Sequence, residues 1–163
     1  MSEKVSYEPN LNDDILVVAP HYSANTKSVV YTQTYNASVQ ANFTCLETTS
    51  FIEHFLYLQG TSIFGSRESA RKLYNFTKNI PLYAPLTKQV IHHYPMEAAP
   101  DPIYFFTNMY EITELTKKRC KLTLQSLSFI VEASKEQCSK RQQRISHYFM
   151  QKLCRHSPAI CKP

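Results

Sequence analysis

At 163 residues, 43% apolar and 19% charged, the chain has the length and composition of a folded domain rather than of a disordered polymer. Glycine is scarce, with only Gly60 and Gly65, so neither a G-x-G-x-x-G fingerprint nor a G-x-x-x-x-G-K-S/T phosphate loop can be written. That argues against the common nucleotide-binding enzyme folds, and the net charge of +5 points instead toward acidic or phosphate-bearing partners.

Residues 1–14 are polar and acidic and read as a flexible arm. Ile15-Leu16-Val17-Val18 is a short β-branched run stopped by Pro20, which fits a buried strand. Residues 29–44 alternate: Val29, Tyr31, Tyr35, Ala37, Val39, Ala41 and Phe43 fall on one face, and Thr32, Thr34, Asn36, Ser38, Gln40, Asn42 and Thr44 on the other. Such alternation predicts strand with cover on one face, and its length predicts a turn near Asn36-Ala37-Ser38. Ser50 and Glu53 have capping-box spacing ahead of a helix over 51–59, with Gly60 at the left-handed residue beyond its end. Thr61 to Phe64 reads as a short strand, and Ser66 as the cap of a helix over 67–79.

Residues 15–80 therefore form an expected α+β core built on a small antiparallel sheet. Residues 81–102 carry Pro81, Pro85, Pro95, Pro100 and Pro102 and read as a connector. From 103 to 156 there is neither proline nor glycine. Cys120, Leu124, Leu127, Val131, Cys138, Ile145 and Phe149 recur mostly at helical intervals, predicting helices that pack on the core or on a partner. Ser134 and Gln137 repeat the capping-box spacing. Residues 157–163 form a tail. The fold class is α+β: a small antiparallel sheet and short helices in the N-terminal half, then a long C-terminal helical segment.

Charge divides along the chain. Residues 1–106 hold seven Lys and Arg against nine Asp and Glu, whereas residues 107–163 hold eleven against four. On a helix, Lys140, Arg144, His147, Gln151 and Arg155 would share one stripe. Lys117, Lys121, Lys140, Arg141, Arg144 and Arg155 are the candidate phosphate contacts. Leu124, Leu127, Val131, Ile145 and Phe149 are the candidate partner-binding residues.

No catalytic constellation stands out. Cys154, His156 and Cys161 with Cys138 or His147 can be drawn as a zinc set, but no C-x-x-C pair supports it. His92-His93 in a proline-rich stretch reads as an exposed loop. Five irregularly spaced cysteines and no signal-peptide pattern predict reduced thiols in cytoplasm or nucleus, and no apolar run reaches the roughly 20 residues of a membrane span. No cofactor, metal or enzymatic activity is expected. The expected function is a non-enzymatic subunit or adaptor that binds a protein partner, or a second copy, through its C-terminal helical face. The alternative is a nucleic-acid-associated protein contacting phosphates through the basic face of residues 117–155.

Overall fold

A computed structural model describes residues 7–97 and 99–156, the last two by backbone alone. Among the described residues, nine strands and three helices give the α+β class, with antiparallel sheets of six and three strands and a long C-terminal helix. The six-stranded sheet runs β3-β2-β1-β6-β5-β4. Its first half is a meander of β1 (Asp14–Pro20), β2 (Ser28–Gln33) and β3 (Val39–Thr44). The expected turn is present: Ala37 has φ 61°, and the amide of Thr34 donates to the Ser38 carbonyl at 2.8 Å.

A register shift between Ile15 and Val17 turns Leu16 and Val17 to the same side of β1. Such a bulge lets a central strand feed two cores. Ile15 and Val18 join Val30, Phe51, Ile52 and Phe55 under the helices, while Leu16, Val17 and Val29 join Phe105, Leu122, Phe129 and Val131 on the opposite face. The sheet is thus covered on both sides where cover on one was expected. The polar face of β2 lies partly inside, with Thr32 buried and accepting from Asn42 Nδ2 at 3.0 Å. Residues 7–13 also depart from a loose arm: Tyr7 stacks on Phe51 with ring centres 6.0 Å apart. Residues 1–6 and 157–163 lie outside the described residues.

Helix α1 (Thr48–Tyr57) starts before Ser50, and Gly60 adopts φ 74° beyond its end, as expected. Helix α2 (Ile63–Tyr74) absorbs the stretch expected to be a strand at 61–64, because Ser62 rather than Ser66 caps it by accepting from the Gly65 amide. Ser66 is buried instead and accepts from the Tyr83 amide at 2.7 Å.

The proline-rich stretch carries two strands, β4 (Leu82–Ala84) and β5 (Gln89–Tyr94), and β6 (Ile103–Phe105) follows. Pro81, Pro85, Pro95 and Pro102 sit just outside the strand ends, where no ladder amide is lost. Residues 103–131 hold strands and turns, not helices. After β6 come β7 (Glu111–Thr116), β8 (Arg119–Leu124) and β9 (Leu127–Val131), paired in the three-stranded sheet. Cys120, Leu122 and Leu124 alternate inward along β8, and Phe129 and Val131 along β9. A turn at Gln125, with φ 55°, resets the phase, so positions 120, 124, 127 and 131 mimic a helical repeat.

Among the described residues of the C-terminal third, only α3 (Lys135–His156) is helical. Its start is the expected capping box: Ser134 Oγ accepts from the Gln137 amide at 3.2 Å, and Gln137 Oε1 from the Ser134 amide at 2.9 Å. Among the described residues, no helix is long and apolar enough to cross a membrane.

Candidate functional site

Helix α3 lies beside the β4–β5 end of the large sheet. Ile145 and Tyr148 pack with Ala70, Ile80, Tyr83 and Val90, flanked by Tyr74, Phe76 and Phe149. A polar seam fixes its rotation. Gln142 Nε2 donates to the carbonyls of Asn108 (2.8 Å) and Tyr110 (2.7 Å), and Asn108 Nδ2 donates to Ser146 Oγ at 2.5 Å. Arg141 Nη1 donates to the His93 carbonyl at 2.7 Å, and its guanidinium lies 4.5 Å from the centre of the Tyr94 ring.

That seam corrects two expectations. Arg141, a candidate phosphate contact, is spent on the interior, where burial lowers its pKa. His92-His93 is not an exposed loop but part of central strand β5. His92 is 3% exposed, with Nε2 2.9 Å from the Tyr110 hydroxyl, which in turn lies 2.6 Å from that of Tyr94. Burial, then the Arg141 charge, then His93 hold His92 down at about 3. Burial, then Arg141, then Arg67 hold His93 at about 4. Both are neutral at pH 7. Burial pushes the Cys138 thiol up to about 12, beside buried Cys120, so it is not an activated nucleophile. Among the described residues no His, Cys, Asp and Glu group is placed to hold a metal. Of the drawn zinc set, Cys138 is in the core and Cys154 is disulfide-bonded, against the reduced state expected, and the His156 side chain and Cys161 lie outside the described residues.

Of the candidate partner-binding residues, Leu124, Val131 and Ile145 are buried in the chain's own core. Leu127 and Phe149 are half-buried against it. The apolar stripe therefore does not stand free, and only Ile145 and Phe149 reach a surface groove.

The basic candidates separate into two places. Lys117 is at the exposed β7–β8 turn, lining a hollow of about 570 Å³ with Lys118, Arg119, Glu132, Ser134 and Gln137. Arg119 there is paired with Glu97. Lys121 projects from the outer face of β8 between Thr113 and Ile130, away from α3. Lys140 and Arg144 are exposed on α3, Lys140 within 2.9 Å of Glu136. The Arg155 side chain lies outside the described residues.

What the fold adds to the α3 stripe comes from residues 71–78. Arg144 stacks 4.7 Å over the Phe76 ring and reaches the Lys78 carbonyl at 3.4 Å. Arg144, His147, Gln143 and Gln151 share a hollow of about 410 Å³ with Tyr74, Asn75 and Phe76. Lys78 is exposed beside this hollow. Residues 69–96 contain no Asp or Glu, and neither do residues 137–156. The loop from α2 to β4 and the outer flank of α3 thus meet in one basic face, with Glu136, paired to Lys140, at its border. Sequence reasoning missed Lys78, although the acid-free run of 69–96 was a visible signal. No family model, curated protein or solved structure matches the chain.

Proposed function

We propose that the protein binds the phosphate backbone of nucleic acid through the basic face formed by residues 75–79 and the outer flank of α3. The observation that carries this reading is the meeting of two segments that hold no carboxylate, 69–96 and 137–156, where Arg144 reaches the Lys78 carbonyl and Lys78, Lys140 and Arg144 are exposed. A surface like this concentrates polyanions, and the half-buried aromatics Tyr74 and Phe76 beside it offer apolar surface to sugars or bases. Arg144 is held ready by its stack on Phe76, so less ordering is needed on contact. The adaptor reading drew on surplus apolar helix surface, most of which the chain's own core takes up, and the nucleic-acid reading is therefore preferred.

The test is fluorescence anisotropy of a labelled duplex of about two helical turns, titrated at several salt concentrations. Three phosphate contacts give a log–log salt slope of about −2.7, a loss of roughly 40-fold between 50 and 200 mM salt. Lys78→Glu, Lys140→Glu and Arg144→Glu together should flatten that slope and abolish binding at 200 mM. Binding that ignores salt, or a triple variant that binds like the parent, overturns the reading.

A further inference from the structure

On the other flank of α3 runs an apolar groove. At 100° per residue, Ile145, Ser146 and Phe149 face away from the side bearing Arg144, His147 and Gln151, and Met150 stands at the rim between the two. The groove, of about 490 Å³, is open to solvent between α3, the start of β5 and the β6–β7 loop. Val90, Phe106 and Ile145 form its buried floor, while Met109 and Met150 stand at its walls, 80% and 51% exposed. We propose that this groove docks an amphipathic helix of a protein partner, its apolar stripe between the two methionines and its flanking carboxylates over Lys88.

Three observations select that occupant. The walls are preformed, because Asn108, beside Met109, is hydrogen-bonded to Gln142 and Ser146 of α3; a preformed groove binds at lower ordering cost. Recognition is through side chains: the floor is apolar and the walls are two exposed methionines, whose flexible thioethers suit the apolar stripe of a docked helix. Finally, Lys88 is the only charged residue among those lining the groove, and the segments forming its Lys88 and α3 sides, 69–96 and 137–156, hold no carboxylate. The complementary helix carries acids on its flanks. A second copy of this chain is a poor fit, since its own long helix is cationic. This site is separate from the phosphate face and does not depend on it.

Two synthetic helices of roughly 18 residues, about five turns, provide the probe. They share one leucine stripe, flanked by glutamates in one and by lysines in the other, and are titrated calorimetrically into the full chain. The glutamate helix should bind and the lysine helix should bind about ten-fold more weakly or not at all. Met109→Glu with Met150→Glu should weaken the glutamate helix by about ten-fold or more, with an unchanged thermal midpoint because both side chains are exposed. Lys88→Glu should reverse the preference between the two helices. Equal affinity for both, a double variant that binds as the parent does, or no heat with either helix overturns the proposal. So does a parent dimer that Met150→Glu dissociates, since a second copy would then occupy the groove.

Discussion

Lowering the pH from 7 to 5 should remove about 4 kcal/mol of folding stability, and two buried histidines on β5 are the reason. His92 is fully enclosed and His93 largely so; burial and the Arg141 charge hold their pKa values at about 3 and about 4. In the unfolded chain both titrate near 6.5. Between pH 6.5 and pH 4 the unfolded state therefore carries protons that the folded state refuses, and stability falls as pH falls through that window. At pH 5 each histidine is about 1.5 units below its unfolded value. At roughly 1.4 kcal/mol per unit that is about 2 kcal/mol apiece. Urea unfolding followed by circular dichroism at pH 7, 6 and 5 measures the loss. His92→Gln keeps a polar group near Tyr110 but cannot titrate, so its loss between pH 7 and 5 should be about half that of the parent. A parent whose stability is flat from pH 7 to 5, or a His92→Gln chain with the parental slope, refutes the assignment of neutral buried imidazoles.

Arg141→Met removes a charge-assisted bond to the His93 carbonyl and the stack on Tyr94; it should cost about 2–3 kcal/mol in urea unfolding while leaving the salt slope of nucleic-acid binding unchanged, because the guanidinium faces inward. Gln125 holds φ 55° in the exposed β8–β9 turn, so Gln125→Gly should raise the thermal midpoint, the relief of about 1 kcal/mol of left-handed strain outweighing the added freedom of the unfolded chain. Gln125→Val should lower it.

The parts of the fold that were legible in sequence are those whose signal is local and of one period. Ile15 to Val18 is too short and too branched for a helix, and it is the central strand. The Val29–Thr44 alternation turned at Asn36-Ala37-Ser38 because a pair of six-residue strands needs only a few residues to reverse. Ser134 and Gln137 marked a real helix start. The β7–β9 sheet was illegible for a specific reason: two inward residues on β8 and two positions on β9, joined by a tight turn, give offsets of four, three and four. Those offsets belong equally to a helix. The scarcity of glycine deepened the ambiguity, since Ala37, Lys88 and Gln125 take the positive φ values that glycine ordinarily supplies. Prolines misled in the same way. They bound β4, β5 and β6 without occupying them, so a stretch that looked like linker contributes two of the six strands of the large sheet.

The candidate sites divide along the same line. The stripe of Lys140, Arg144 and His147 follows from helical periodicity alone and needs no fold to be seen. Its completion by Lys78 does need the fold, because more than sixty residues separate it from the stripe in sequence. What decides between a basic flank and an apolar one is the rotation of α3 about its own axis. Arg141 and Gln142 set that rotation by reaching the carbonyls of His93, Asn108 and Tyr110. A rotation of one residue, about 100°, would strand those carbonyls and expose Tyr148, and it would turn Lys140 and Arg144 away from Lys78. Burying a guanidinium against Tyr94 is costly in desolvation, and its interior hydrogen bond offsets that cost only in this one orientation. The buried arginine thus contributes less to net stability than to uniqueness. It holds the phosphate face and the methionine groove on opposite flanks of a single helix, where two ligands could be bound at once without competing for surface.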